Sequence, residues 1–286
     1  MYEITQKRLL APNIYYMEVF APRVAASALP GQFVIVRTGE LGERIPLTVV
    51  DYDREKGTVA IVIQIVGASS RKICALAQGD CFTDFVGPLG HPSEFVHETD
   101  EELRAKSRLF IAGGVGAAPV YPQVKWLRER GASADVIIGG KTQDFILLAD
   151  EMEALGAKVH IATDDGSRGY HGLVTGLFKE LMEQGRHFDQ VIAIGPMIMM
   201  KFAALATKEY GIPTVASLNS MMVDGTGMCG ACRVTVGGQV RFTCVDGPEF
   251  DAHQVDFDLA MRRGAMFRDM EKERDCRCME QLSKTV

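Results

Sequence analysis

The chain has 286 residues, of which 47% are apolar and 24% charged, an ordinary globular composition that suffices for two domains of roughly 100–150 residues each. Its net charge of −6 argues against a nucleic-acid-binding protein, which usually carries a basic patch. No apolar run approaches the roughly 20 residues of a transmembrane helix and the N-terminal sequence has no signal-peptide pattern, so we expect a cytoplasmic protein without membrane contact.

Residues 1–97 are predicted to form a small antiparallel β-barrel. Short apolar or β-branched runs follow one another there, separated by turn residues such as Asp53 and Gly57. Evenly spaced strands without long helical periods are typical of such barrels. The polar, charged segment that follows is interpreted as a domain boundary.

Residues 98–217 are predicted to form a doubly wound parallel α/β domain. The strand-like run RLFIAGG begins at Arg108 and is followed by a segment in which Val120, Val124 and Leu127 have helical spacing. Further strands and helices alternate as far as residue 217. Strands alternating with helices of this length indicate a parallel sheet covered on both faces.

Three turns of this domain are candidate nucleotide-binding sites. GGVGAAP follows a strand and opens a helix, as a phosphate-binding turn requires, although it departs from the G-x-G-x-x-G fingerprint. TDDGSRG and IGPM also follow strands, and ligands of open α/β sheets bind beyond the carboxyl ends of the strands. The candidate residues are Gly113, Gly114, Gly116, Pro119, Asp164, Asp165, Gly166, Gly195, Pro196 and Met197.

Two structural explanations of these turns stay open. The glycines would then only pack a helix against a strand, and the aspartates Asp164 and Asp165 would cap a helix or a turn. If an aspartate does meet the ribose, it accepts hydrogen bonds from a 2′-hydroxyl and repels a 2′-phosphate, which favours NAD(H). Lys141 and Arg168 are able to reverse that preference, so NADP(H) stays open.

Residues 218–250 are predicted to form an iron–sulfur module. Cys229, Cys232 and Cys244 have the spacing C-x2-C-x11-C, and Asp224 stands where plant-type ferredoxins have the first cysteine of C-x4-C-x2-C. Neighbouring glycines let the backbone wrap closely and point its N–H groups at sulfide. Because a carboxylate is able to bind iron, the predicted [2Fe-2S] ligands are Asp224, Cys229, Cys232 and Cys244.

Three other interpretations of this module remain. A zinc site would combine Cys229 and Cys232 with Cys276 and Cys278. A thioredoxin-like dithiol would use the first pair alone. In the third, Asp224 caps the loop and the cluster takes another ligand. The remaining residues, 251–286, are predicted to form a charged helical tail, either a solvated helix or a docking segment.

The order of barrel, GGVGAAP, TDDGSRG, IGPM and CGAC…C resembles the ferredoxin reductase-like flavoprotein family over essentially the whole chain. The resemblance is strongest to two groups: the electron-transfer subunit of dihydroorotate dehydrogenase, and the small subunit of NADH-dependent ferredoxin:NADP+ oxidoreductase, also called sulfide dehydrogenase-like. One aspartate with three cysteines, together with MCGACRVTV and CVDGPEFD, favours the second group.

The resemblance implies that FAD binds across the barrel. Arg44, Pro46 and Thr48 match the family's Arg-x-Pro-x-Ser/Thr motif, which places the arginine on an FAD phosphate and the threonine at the edge of the flavin ring. Leu47 stands where plant-type reductases have a stacking aromatic residue, and Ile194 replaces the family's cysteine near the nicotinamide. The other residues implied to contact FAD are Ile63, Gln64, Ile65, Gly67, Ser69 and Ser70.

The implied function is electron transfer between NAD(H), FAD and a [2Fe-2S] cluster. A nicotinamide gives up two electrons as hydride and a cluster accepts one at a time, so a flavin must bridge them and no general acid or base is expected. The implied partner is a larger flavoprotein subunit with its own FAD and [4Fe-4S] clusters, which performs electron bifurcation and through which ferredoxin takes part indirectly. The alternatives are the electron-transfer subunit of an NAD-dependent dihydroorotate dehydrogenase and a zinc-ribbon interaction protein that binds a nucleotide without turnover.

Overall fold

The computed structural model describes residues 2–40 and 42–283. The strands are β1 (Tyr2–Ala11), β2 (Ile14–Phe20), β3 (Phe33–Arg37), β4 (Ile45–Asp53), β5 (Thr58–Gln64), β6 (Cys81–Phe82), β7 (Asp84–Leu89), β8 (Arg108–Gly113), β9 (Asp135–Gly140), β10 (Lys158–Thr163), β11 (Tyr170–His171), β12 (Gln190–Ile194), β13 (Thr214–Ser217), β14 (Arg233–Val236), β15 (Gln239–Phe242) and β16 (Glu249–Asp251). The helices are α1 (Pro22–Ser27), α2 (Ala68–Ala75), α3 (Asp100–Ala105), α4 (Ala117–Glu129), α5 (Ala149–Ala154), α6 (Val174–Glu183), α7 (Met197–Glu209), α8 (Thr243–Asp246), α9 (Phe257–Gly264) and α10 (Arg268–Ser283).

The N-terminal strands form one antiparallel sheet in the order β6-β1-β2-β5-β4-β3-β7. Its edge strands β6 and β7 follow one another in the chain, so the sheet curls into a nearly closed barrel. Residues that alternate along β5 serve two cores: Ile61 and Ile63 fill the barrel, whereas Ala60 and Val62 pack against the α/β part. The predicted barrel is confirmed, and it shares a core with its neighbour.

The second sheet has the order β11-β10-β9-β8-β12-β13-β16. The strands from β11 to β13 are parallel, and the chain winds outward from β8 in both directions, so the predicted doubly wound arrangement is confirmed. Strand β16 joins the edge antiparallel to β13. The segment after the cysteine loop therefore returns to the parallel sheet.

The segment between β13 and β16 carries the cysteines. It contains the hairpin of β14 with β15 and the one-turn helix α8. Beyond it, α9 packs on α7 and the largely exposed α10 lies along α2. Within the described part of the chain, no helix combines the length and the apolar character that crossing a bilayer would need.

Candidate functional site

A cleft of about 820 Å³ opens between the barrel and the parallel sheet. Its volume lies within the range of cofactor sites, and it lies beyond the carboxyl ends of β8 and β12, between which the winding reverses. The predicted site residues that line it are Pro46, Leu47, Thr48, Gln64, Ile65, Gly113, Gly114, Gly116, Pro119, Asp164, Gly195 and Pro196. The structure thus brings the flavin motif of the barrel opposite the nucleotide motifs of the parallel sheet.

The glycine turn before α4 suits both roles considered from the sequence, namely packing of a helix against a strand and binding of a phosphate. A Cβ at Gly116 would lie 2.2 Å from the carbonyl oxygen of Ile194, so this glycine lets the start of the helix approach β12. Gly114 has open space where its side chain would be and lines the cleft. The N-terminus of α4 lies at the cleft, where Ala118 and Pro119 line it, and a helix N-terminus suits a pyrophosphate.

The acidic turn after β10 divides into two roles. Asp164 lines the cleft. Asp165 accepts hydrogen bonds from the N–H and hydroxyl of Ser167, and these lower the pKa of its carboxyl group. Two further predicted residues, Gly166 and Met197, are not among the residues lining the cleft: Gly166 packs closely against a neighbouring ring and Met197 packs on the core of the parallel sheet. Capping of the turn therefore explains Asp165, whereas Asp164 remains the candidate for binding a ligand.

Ile63 does not reach the cleft. It is 2% exposed and belongs to the barrel core, because alternate residues of a strand point to opposite faces. Its neighbours Val62 and Gln64 are the β5 residues that line the cleft. The prediction of three consecutive flavin-lining residues took no account of this alternation.

Gly67, Ser69 and Ser70 lie at the start of α2, outside the lining of the cleft. The hydroxyl oxygen of Ser70 accepts the N–H of Val66 at 2.9 Å and that of Gly67 at 3.1 Å, which caps the helix. Ser69 donates its hydroxyl to Glu43. In this structure Ser70 holds the local backbone and Ser69 bonds a side chain, and the contact of these residues with FAD stays a prediction.

Arg44 also lies outside the lining of the cleft. Its Nε donates to the carbonyl oxygen of Val223 at 3.0 Å, and its Nη2 donates to that of Asp224 at 3.2 Å. Both acceptors belong to the loop that leads into the cysteines. The residue that resembles the family's phosphate ligand therefore ties the barrel to the cysteine loop, and its phosphate contact stays a prediction.

The cysteine loop presses against the barrel wall. Gly225 has φ of +85°, and a Cβ there would lie 2.6 Å from Cδ1 of Ile35 in β3. Only glycine adopts this positive φ without strain and also leaves room for the side chain of Ile35. The loop is held at this contact and at the two carbonyl groups bonded by Arg44.

Two of the predicted iron ligands lie side by side. Cys232 and Cys244 are both 2% exposed, and their Sγ atoms are 3.2 Å apart. Burial, and then the neighbouring thiol, raise the pKa of Cys244 to about 12. Two buried thiols in contact lose both protons readily only when a cation compensates their charge, which fits an iron site.

The other two predicted ligands lie nearby and more exposed. The N–H groups of Ala231 and Asp224 lower the pKa of the Cys229 thiol, as N–H groups directed at a thiolate do. The carboxylate of Asp224 accepts the N–H groups of Thr226 at 2.9 Å and Met228 at 3.4 Å, so it caps the loop. Among the described residues no three such side chains converge as a metal site, and the ligand role of Asp224 stays a prediction.

The donor set nevertheless suits an iron–sulfur cluster. Three thiols and one carboxylate lie in a glycine-rich loop whose N–H groups already stabilise negative charge on sulfur. The zinc alternative is not supported, because Cys276 and Cys278 lie on α10, which packs against α2. Those two cysteines are not grouped with the loop cysteines in the part of the chain that the structure describes.

The residues of the cleft that the sequence did not indicate include Phe33, Ser217, Asn219 and Met222. Ser217 and Asn219 follow β13, so the rule that ligands bind at the carboxyl ends of strands would have found them. Phe33 stands in an ordinary apolar strand, and no local signal distinguishes it. Met222 lies in an irregular segment and carries no such signal either.

Two domain families match the chain. Residues 110–204 match the oxidoreductase NAD-binding domain. Residues 219–256 match the iron–sulfur cluster binding domain of dihydroorotate dehydrogenase B. The first match covers the parallel sheet from β8 to β12 with the glycine turn, and the second covers the cysteine loop.

Relatives extend the similarity to nearly the whole length. A homolog of the dihydroorotate dehydrogenase B (NAD(+)) electron transfer subunit from Thermotoga maritima is 44% identical over 94% of this chain and 93% of its own. The electron transfer subunit of that enzyme from Desulforamulus reducens is 35% identical, covering 86% and 94%. An uncharacterized protein from the adh 3′ region of Clostridium beijerinckii is 56% identical, covering 95% and 92%.

A solved structure gives the same result in three dimensions. A chain from the NADH-dependent reduced ferredoxin-NADP oxidoreductase structure, described in the context of flavin-based electron bifurcation, has a TM-score of 0.89 and 41% identity over 98% of both chains. The chain belongs to the ferredoxin reductase-like family of flavoprotein electron-transfer subunits, an oxidoreductase family whose cofactors are NAD(H), FAD and a [2Fe-2S] cluster.

Proposed function

We propose that this chain is the small subunit of an electron-bifurcating, NADH-dependent ferredoxin:NADP+ oxidoreductase. In this role it passes electrons between NAD(H) and its [2Fe-2S] cluster by way of FAD. The observation that carries the proposal is the similarity, over 98% of both chains, to a subunit of an oxidoreductase of that kind. The Asp-plus-three-Cys pattern points the same way.

The two walls of the cleft supply what this chemistry needs. Pro46, Thr48 and Gln64 come from the barrel, and Gly114 and Pro196 come from the parallel sheet, so a flavin on one wall can meet a nicotinamide on the other. When bound, FAD accepts electrons as a pair and releases them singly. The residues of the chain bind and orient, and the catalysis proposed here uses no side chain as a general acid or base.

The proposed partner is a larger flavoprotein subunit with its own FAD and [4Fe-4S] clusters, at which bifurcation takes place and ferredoxin reacts. In the structure of this chain the cysteine loop is open to such a partner: Met228 is 88% exposed, and the adjacent Cys229 is also exposed. An electron held at this loop lies near the protein surface. The complete reaction is therefore assigned to the complex.

We retain four domain limits as part of the proposal: 1–97 for FAD, 98–217 for the nucleotide, 218–250 for the cluster and 251–286 for the tail. Strand β16 crosses the third limit, because Glu249–Asp251 pairs with β13. The cluster module is in this respect continuous with the nucleotide domain.

The second candidate is the electron transfer subunit of an NAD-dependent dihydroorotate dehydrogenase. It is favoured by the match of residues 219–256 to the iron–sulfur domain of that enzyme and by the 35% identical relative. Both candidates share the path from NADH to the cluster. They differ in the subunit that receives the electrons.

Affinity purification of the tagged chain from its native host separates the two. We expect a larger flavoprotein with [4Fe-4S] clusters in equal amount, and a complex that reduces NADP+ with NADH and reduced ferredoxin. A dihydroorotate-oxidising partner would instead establish the second candidate. A chain that holds neither flavin nor acid-labile sulfide after growth with ample riboflavin and iron would contradict both.

A further inference from the structure

The flavin side of the cleft and the buried cysteine pair share one wall. Phe33 and Met222 line the cleft, and the same two side chains belong to the apolar cluster that contains Cys232 and Cys244. The two side chains therefore connect the lining of the cleft with the apolar cluster around the thiols. None of the residues that suggested a function from the sequence had indicated this arrangement.

We propose that Phe33 and Met222 are positioning residues for electron transfer, forming the partition that single electrons cross between the flavin site and the cluster. The inference rests on the proposed function and adds the route that the electrons take. NADH supplies a hydride to the flavin, and two electrons then cross singly to the oxidised cluster, which passes each to the partner. The remaining proton is released to solvent, and NAD+ leaves.

The partition is buried, and Phe33 is held in a sheet. Phe33 is 3% exposed and Met222 is 7% exposed, so water is excluded between the two sites. Phe33 lies on β3, which is paired on both sides, by β4 and by β7. Close-packed side chains in such a sheet have little freedom to move, so the separation of the two sites is fixed.

The register places this partition directly behind the flavin motif. Phe33 pairs with Thr48, and Ile35 pairs with Pro46. Ile35 is also the residue against which Gly225 presses the cysteine loop. The strand pair β3–β4 thus carries the flavin motif on one strand and the support of the cluster on the other.

The partition contains no group that must gain or lose a proton with the electron. The described apolar side chains that pack with the two cysteines are Phe33, Ile35, Leu89, Met222 and Phe242. None of them is ionisable. Cys229, by contrast, is exposed and faces the side where a partner is expected, which orders the path from the cleft inward and then to the surface.

The test compares two steps in one sample of the flavin- and cluster-loaded chain. The variants are Phe33→Leu and Met222→Ala, with Met222→Leu as the volume-conserving rescue and Phe85→Leu as a control in the barrel core, away from the partition. After rapid mixing with NADH, flavin bleaching and cluster reduction are followed separately by their absorbance. In a second assay without NADH, the loss of the cluster to an iron chelator is timed.

We expect the partition variants to slow cluster reduction severalfold, while flavin bleaching stays close to the wild-type rate. Met222→Ala should also lose its cluster to the chelator faster, because the wall is thinner, and Met222→Leu should restore both values. Phe85→Leu should change neither. If Met222→Ala fails to load its cofactors, Phe33→Leu measured against Phe85→Leu still decides the point.

Wild-type rates of cluster reduction and chelator access in Phe33→Leu and Met222→Ala would overturn the partition. Failure of NADH to bleach the flavin of the wild-type chain would overturn the proposed function instead. The two failures are thus read from different phases of the same experiment.

Discussion

The Nε–H of Arg44 donates to the carbonyl oxygen of Val223 at 3.0 Å, although 179 residues separate the two in the chain. Arg44 directly precedes β4, which carries the flavin motif, and Val223 leads into the cysteine loop. Nη2 of the same guanidinium group donates a second hydrogen bond, to the carbonyl oxygen of Asp224. The barrel and the cysteine loop are therefore connected by one side chain at their junction.

Replacing Arg44 separates its two possible tasks. In Arg44→Ala the loop loses two bonds from a charged donor that is partly exposed, worth about 1–2 kcal/mol together, so we expect faster loss of the cluster to a chelator. Arg44→Lys retains the positive charge but not the guanidinium group that donates from two nitrogens, so we expect an intermediate rate of cluster loss. The exposed Arg23→Ala serves as the control.

The flavin content of the same variants tests the phosphate contact implied by the family motif. If Arg44 also holds an FAD phosphate, Arg44→Ala must bind FAD more weakly than wild type. Equal flavin affinity with a less stable cluster would leave the arginine with the loop contact alone.

Asp224 is tested by three substitutions that separate capping from iron binding. Asp224→Asn keeps an oxygen that accepts the N–H groups of Thr226 and Met228, but supplies a much weaker iron ligand. If Asp224 binds iron, we expect Asp224→Asn and Asp224→Ala to lose or destabilise the cluster, and Asp224→Cys to keep it with a changed paramagnetic spectrum and potential. A cluster signal in Asp224→Ala that matches the wild type would remove Asp224 from the ligands.

Gly225→Ala should damage the cysteine loop more than a positive φ alone explains. A left-handed conformation costs a non-glycine residue about 1–2 kcal/mol, and here the added methyl also meets Ile35. Gly79→Ala is the matched control, since its φ is +92° with nothing within 4 Å of a Cβ. We expect cluster loss only in Gly225→Ala, with partial recovery in the double variant that adds Ile35→Val. Equal cluster content in both glycine variants would contradict the close contact.

Asp164 should govern the choice between NADH and NADPH. It lines the cleft, whereas the carboxylate of Asp165 accepts hydrogen bonds from the N–H and the hydroxyl of Ser167. Removing the charge in Asp164→Asn should raise kcat/KM for NADPH relative to NADH by up to about tenfold, equivalent to 1.4 kcal/mol. Asp165→Asn should leave that ratio unchanged. A shift in the second variant and none in the first would reverse the assignment.

Glu249 should make the stability of the protein fall as the pH rises toward neutrality. Its carboxyl group accepts bonds from Ser93 at 2.9 Å and Gln123 at 3.1 Å, and burial raises its pKa from 4.5 to about 7. Between these values the folded protein holds a proton that the unfolded chain releases, so the free energy of unfolding decreases by up to about 1.4 kcal/mol per pH unit.

The variant Glu249→Gln removes this titration while keeping an acceptor oxygen. Its melting temperature should depend less on pH between pH 5 and 7 than that of the wild type, and it should exceed the wild-type value at pH 8. The exposed Glu55→Gln controls for the loss of a negative charge. Parallel melting curves of wild type and Glu249→Gln against pH would contradict a raised pKa at this carboxyl group.

The sequence predicted the two sheets well because each has a strong local signal. Alternating strands with turn residues identified the barrel, and strands alternating with long helices identified the parallel sheet. Helix α2 was missed: it lies in a region predicted to consist of strands, and its Ser70 was named only as an FAD contact although it supplies a helix cap. Local propensity there is weak, and the cap decides the structure.

The parts of the site that the sequence did not reveal depend on contacts between distant segments. The partners of Arg44 lie 179 and 180 residues away, and the apolar cluster that Phe33 shares with Cys232 and Cys244 joins the third strand to the last third of the chain. The register shift between Val49 and Asp51 in β4, opposite β5, is likewise not revealed by any periodicity. Motif residues could be identified, but which of them face the cleft could not.

Helix α10 bears on the order in which the protein matures. The carboxylate of Asp275 accepts hydrogen bonds from Nε of Arg71 at 3.1 Å and from Nη2 at 3.0 Å. Asp275 lies on α10, 204 residues after Arg71, and this ion pair fixes α10 to α2. During synthesis α2 emerges well before α10, so this ion pair can form only after α10 has left the ribosome. If Ser69 and Ser70 contact FAD as predicted, tight binding of FAD is expected only after α10 has joined α2.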